Sequence, residues 1–173
     1  VTKYLKYEGS IEPNKSIGLA NTFTYKDWSL YIFFVGSGGN KVRLNPAYDS
    51  TYDDLTVFTK DFTNRWINPG DENYTNVPVI ADKLLNRNYG SSDLQIAYNT
   101  YNFSDVRIAS GDFVRLKNIS LSWEFPSDYK RKLGLSTFTL KGSAVNPWLI
   151  YSDKKLNGQD PEFRNTGGVA FPI

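Results

Sequence analysis

Asp71 beside Glu72, and Asp160 two residues before Glu162, are the side chains best spaced for acid–base chemistry in this chain. A glycosidase would use one such carboxylate as acid and the other as base or nucleophile. Pairs of this kind are common in polar loops, so spacing alone gives them almost no weight. Nothing stronger stands beside them, because the sequence has no histidine and no cysteine. Ser-His-Asp triads, Cys-His dyads, disulfides and His- or Cys-ligated zinc are excluded. Asp49, Asp53 and Asp54 offer oxygen ligands of the kind Ca²⁺ takes, although solvated loop carboxylates are the ordinary reading and no cofactor is expected. Gly36-Ser37-Gly38-Gly39-Asn40-Lys41 has the glycine content of a phosphate loop. It lacks the GxxxxGK[ST] spacing and no helical pattern follows, so it reads as the end of a strand. The expectation is a protein that is not an enzyme.

Aromatic side chains are the more informative group. Phe, Tyr and Trp make up 16% of the residues, and many lie outside any strand pattern. Aromatic faces stack on sugar rings and on peptide side chains, with Asn and Asp nearby as polar partners. Tyr48, Tyr52, Phe58, Tyr101 and Trp148 belong to this loop set, and Trp66, Tyr74, Tyr89 and Tyr98 are its candidate substrate contacts. The competing role for each is to pack the loops against one another.

Two strands precede these loops. Segments 16–25 and 28–36 alternate in hydropathy and meet at Lys26-Asp27, a two-residue turn. Tyr25 then faces Trp28, and Leu19, Phe23, Leu30, Ile32 and Phe34 share one face. A third strand is expected over 113–125, with Ile119, Leu121, Trp123 and Phe125 on its apolar side. Arg115 and Lys117 fall in that same phase at the strand's loop end. Pro126 stops the strand, Ser127 caps a helical turn, and Gly134 ends it. A fourth strand covers 136–146. Between strands, 39–110 and 148–168 read as long polar loops, with helical turns within 53–64 and 79–86. Loops far beyond ~4–6 residues usually carry function.

Connections are thus short at one end of the strands and long at the other. Together with apolar outward faces and terminal aromatics, this asymmetry is the pattern of a transmembrane β-barrel. Tyr25, Trp28 and Trp123 are the candidate membrane-interface aromatics. The long segments 39–110 and 148–168 would lie outside, and the short turns in the periplasm. There is no run of ~18 apolar residues, hence no membrane helix, which leaves a barrel open. A formal net charge of +2 points to no nucleic-acid partner. The alternative is a secreted β-sandwich that binds carbohydrate, since a sandwich strand looks much the same locally.

Residues 18–30, Gly-Leu-Ala-Asn-Thr-Phe-Thr-Tyr-Lys-Asp-Trp-Ser-Leu, resemble a stretch near the C-terminus of SusC/RagA-family TonB-dependent transporters of Bacteroidota. Further likenesses follow in order: 36–43, Asn64-Arg65-Trp66, residues 111–123 (the most specific), Lys132-Leu133-Gly134-Leu135, 144–148 and Asp160-Pro161-Glu162. The resemblance implies an all-β chain of antiparallel strands forming part of a large barrel in the bacterial outer membrane. It also implies energised import of an oligosaccharide or peptide, a SusD-like surface lipoprotein partner, and contact with TonB through parts absent from these residues. The family's plug, most of its barrel and its final strand have no counterpart here, so the resemblance implies a C-terminal piece of a longer protein.

Overall fold

The computed structural model describes residues 5–46, 60–80 and 82–162. Asp49, Asp53 and Asp54, and with them Tyr48, Tyr52 and Phe58, lie outside the described residues. The chain divides into two units. One comprises 12–40 and 111–152 and is built on a sheet; the other draws on 1–11, 41–110 and 153–173 and is built mostly of loops and short helices.

The sheet unit contains β1 (Lys15–Tyr25) and β2 (Trp28–Gly38). Between them Lys26 takes φ 52°, the positive φ that a primed two-residue turn requires at its first central position. Tyr25 pairs with Trp28, Phe23 with Leu30, Asn21 with Ile32 and Leu19 with Phe34. In the loop unit β3 (Lys41–Arg43) and β4 (Ile108–Ser110) form a separate two-stranded ribbon. Back in the sheet unit, β5 (Phe113–Glu124) and β6 (Thr139–Ser152) complete an antiparallel sheet of order β1-β2-β5-β6.

Side-chain alternation across this sheet separates two chemistries. One face reads Tyr25, Trp28, Trp123, Leu140 in its first row and Phe23, Leu30, Leu121, Gly142 in its second. The third row is Asn21, Ile32, Ile119, Ala144. The other face reads Thr24, Ser29, Ser122, Lys141 and then Thr22, Tyr31, Ser120, Ser143. Within the chain the apolar face is uncovered: Leu19, Phe23 and Leu140 are 62%, 56% and 62% exposed. Strands of 11 to 14 residues with such a face are long enough to cross a bilayer tilted, which takes ~9–11.

The alternation of β5 breaks near its loop end. Pairing passes from Phe33–Asn118 to Phe34–Leu116, leaving Lys117 as the extra residue of a β-bulge. A bulge moves every following side chain to the opposite face. Leu116 and Val114 therefore join Phe34 and Gly36 on the apolar side, while Arg115 pairs with Val35 on the other, where it is buried. The expectation that Arg115 shares the apolar phase is corrected by this shift. Opposite the bulge β6 carries its own irregularity, because Leu116 pairs with Trp148 and Asn118 with Val145. Asn146 there has φ 52° and Pro147 has no N–H to leave unpaired. β6 starts later than expected, at Thr139, and runs past this irregularity to Ser152, so Trp148 is a strand residue.

The aromatics gather at the short-turn end. Trp28 stacks on Trp123 at 5.7 Å, Trp123 meets Phe125 edge-on at 5.0 Å, and Phe125 meets Phe138 at 5.3 Å. The helix α1 (Ser127–Lys132) lies in the connection after Phe125. Its N-cap is Pro126, so Ser127 is the first helical residue, not the cap. Gly134, with φ 68°, ends it: its N–H donates to Arg131 O and that of Leu135 to Lys130 O, a Schellman closure.

In the loop unit the segment expected to be mostly irregular holds two further helices, α2 (Lys83–Tyr89) and α3 (Ser91–Phe103). Asp82 caps the first by accepting from Leu85 N–H, and Gly90 breaks the pair. One small core consists of Val42, Leu44, Ala109 and Leu156. A second consists of Phe62, Leu94 and Tyr98, backed by Val77, Ile80, Leu85 and Tyr101.

Candidate functional site

Within the loop unit the backbone is organised by side chains. Gln159 accepts from Asn45 N–H at 2.7 Å and donates to Arg43 O at 3.0 Å, so its amide continues the β3 edge as a peptide would. Asp153 accepts from Ser110 N–H at 2.8 Å and from Lys155 N–H at 2.9 Å. Burial opposes its ionised form, but these N–H donors together with the charges of Lys155 and Lys41 hold the carboxyl below its ordinary range. Arg43 donates to the carbonyls of Asn102 and Ser104 at the C-terminal end of α3, where a cation also complements the helix dipole.

Arg107 is the centre of a second network. It is 3% exposed and lies 3.4 Å from Asp61. It donates to Asn45 O at 2.7 Å, and its guanidinium sits 5.4 Å from the centroid of the Tyr101 ring. The other Asp61 oxygen accepts from the Asn157 amide at 2.6 Å. A third network closes the segment 65–77. Asp71 accepts from the backbone N–H groups of Ile67 and Asn68, and Glu72 from the Trp66 indole at 3.0 Å and from Gly70 N–H at 2.8 Å.

These networks border a cleft of about 820 Å³. Asp61, Thr63, Asn64, Arg65, Asp71 and Tyr74 form part of its wall, and Tyr101, Arg107, Lys154, Lys155 and Asn157 another part. Among the described residues no group of three or more carboxylates is placed to hold a metal ion. The carboxylates present are engaged in holding loops. The Trp66 indole, then the backbone N–H donors, push Glu72 below the usual carboxylate range, whereas a general acid working near neutrality needs the opposite shift. Asp160 is buried and accepts from Glu162 N–H.

Of the candidate substrate contacts, Tyr74 lines this cleft and is 91% exposed. Tyr89 is exposed at the end of α2 and stands outside the cleft lining. Trp66 is half-buried and committed to Glu72, with its own N–H on Val77 O. Tyr98 is corrected: its ring is 4% exposed in the second core and its hydroxyl donates to Val79 O at 3.1 Å, so it packs the loop and offers no face to a ligand. Desolvation by that burial, with Asp82 nearby, raises its pKa. The cleft's cations were missed because they are scattered between residues 60 and 155, with no local motif to gather them. The glycine-rich run 36–41 is a strand end: Gly39, φ 83°, donates its N–H to the Asp112 carboxylate at 2.7 Å.

No family model matches the chain. Three TonB-dependent receptors of Formosa agariphila are similar to it: P3 at 26% identity over 162 residues, P39 at 24% over 160 and P26 at 27% over 161. These alignments cover 92%, 90% and 92% of the chain but only 14% of each relative. Among solved structures, the RagAB peptide transporter matches 96% of this chain and 17% of its own, with TM-score 0.58 and 20% identity. The RagAB peptide importer in its open-open state gives TM-score 0.58 at 19% identity over 91% of this chain and 15% of its own. The structural likeness fixes the fold as part of a transmembrane β-barrel, and the outward apolar face with its aromatic end supplies the physical reason. Along nearly its whole length the chain is thus similar to one segment of TonB-dependent receptors, and its fold is that of part of an outer-membrane β-barrel.

Proposed function

We propose that this segment supplies barrel wall and outer-surface loops to a transporter that imports an oligomeric nutrient, glycan or peptide, through the outer membrane. The uncovered apolar face of the four-stranded sheet carries the reading, because only lipid suits so continuous a face on strands of this length. A secreted β-sandwich would need a second sheet over that face; among the described residues the only other sheet is the ribbon of three-residue strands β3 and β4. The role is binding and passage, not catalysis. A SusD-like lipoprotein would act as the partner at the surface, as the paired naming of the RagAB structures suggests for that system. TonB would engage parts of the protein beyond this segment.

On this reading 39–110 and the segment after Ser152 face outward, and Lys26-Asp27 and 126–135 face the periplasm. Deleting 49–101 in the whole transporter should spare barrel assembly and impair uptake. The paired measurement is abundance of the heat-modifiable barrel in outer membranes and growth on the nutrient as sole source. Normal growth at normal abundance would overturn the reading. Protease added to intact cells should spare Lys130 and Arg131.

A further inference from the structure

The cleft of the loop unit has an excess of positive charge. Among the described residues five cationic side chains line it against two carboxylates, Asp61 and Asp71. Both carboxylates are already engaged. Asp61 serves Arg107 and Asn157, and Asp71 serves two backbone N–H groups. The cations are engaged unequally. Arg107 is paired with Asp61, and the Lys155 ammonium donates to Ile108 O. The exposed ammonium groups of Lys60 and Lys154 have no hydrogen-bond or ion-pair partner among the described residues. Beside them the lining is amide and hydroxyl in character, with Thr63, Asn64, Thr75 and Asn76, and Tyr74 offers an aromatic face to solvent.

We propose that this cleft takes an acidic oligosaccharide, with Lys60 and Lys154 holding its anionic groups. The inference rests on the transporter reading and names the substrate class for it. An anion bound at ammonium groups that have no partner among the described residues gains charge-assisted hydrogen bonds without displacing one of those residues. The amides and hydroxyls suit sugar hydroxyls, and the exposed Tyr74 ring suits stacking on a pyranose face. A peptide would instead want apolar pockets for alternate side chains, and Leu44, Val77 and Val106 are the only aliphatic lining residues among those described.

The test uses the whole transporter purified in detergent, with titration calorimetry of three probes: a hexuronate tetramer, the same tetramer with its carboxylates reduced to alcohols, and tetraglutamate. The uronate should bind tightest, and its affinity should collapse at an ionic strength of about 1 M, where charges are screened within ~3 Å. Lys60→Gln with Lys154→Gln should weaken it roughly tenfold or more, the factor for losing one charged contact. Lys60→Arg with Lys154→Arg should keep most of it. Equal binding of the reduced tetramer, or unchanged uronate binding in the glutamine variant, would overturn the proposal. Tighter binding of tetraglutamate would overturn it in favour of acidic peptides. Salt dependence of the unaltered protein decides the matter even where a variant fails to assemble. Uptake by cells separates the two levels: import of the neutral tetramer alone defeats this inference, whereas import of no oligomer defeats the transporter reading.

Discussion

The sheet unit and the loop unit arrange the same kinds of residue in opposite ways. In the sheet unit, strand ladders satisfy the backbone, and Leu19, Phe23 and Leu140 turn outward. In the loop unit, Val42, Leu44, Phe62 and Leu94 turn inward, and many backbone groups are satisfied by Gln159, Asp153, Asp71 and Arg43. The difference follows from the solvent each surface is made for. Lipid offers no hydrogen bonds, so a membrane wall must close its own ladders and can leave apolar side chains outside. Water rewards apolar burial and tolerates irregular backbone, provided its polar groups find partners.

The contrast breaks most visibly if a charge is placed on the wrong face of the sheet. Ile32→Arg puts a guanidinium in the apolar row of Asn21, Ile119 and Ala144, where a midplane cation costs ~2–4 kcal/mol. Thr22→Arg, on the opposite face beside Tyr31, should be tolerated. Heat-modifiable barrel in outer membranes should fall sharply for the first and stay near normal for the second; equal loss would refute the two-faced sheet.

A smaller effect is expected where a side chain stands in for backbone. Gln159→Ala removes both amide bonds to the β3 edge and should destabilise the loop unit by about 1–3 kcal/mol. Limited proteolysis should then cut faster within 41–46 while barrel abundance is unchanged. Smaller again is the irregularity of β6: Asn146→Ala puts a residue that rarely visits the left-handed region at φ 52°, at about 1 kcal/mol. Asn146→Gly should cost less than Asn146→Ala, a difference readable in the barrel's thermal transition.

The smallest effect is a pH dependence confined to the loop. Glu72 is held below the usual carboxylate range by the Trp66 indole and by backbone N–H groups. Its contribution is present above the unfolded carboxylate range and is lost as pH falls through the lowered folded value. Amide exchange at Gly70 should therefore stay slow to below the ordinary carboxylate range and then rise. In Glu72→Gln that dependence should vanish.

Much of the sheet is legible from the residues alone. Strict alternation and a two-residue turn fix the β1–β2 register, because a slip by one would reverse a face, and the pairing of Tyr25 with Trp28 follows. The membrane-like asymmetry of short and long connections is readable for the same local reason. What escaped local reading depended on partners distant in sequence. The bulge at Lys117 shows only when β5 is laid against β2 and β6, and it moves Arg115 off the apolar face. The helix α3 has a weak apolar periodicity and is held by Leu94 and Tyr98 packing on Phe62, more than thirty residues earlier. That packing, invisible in the sequence around Tyr98, made it a core residue instead of a ligand contact. The cleft cations are likewise brought together from Lys60 to Lys155 by loop closure alone. Sequence by itself determined which strands have two faces, since alternation is a property of neighbours along the chain. Tertiary structure alone decided which charges share a cavity, since that depends on how the loops between them fold.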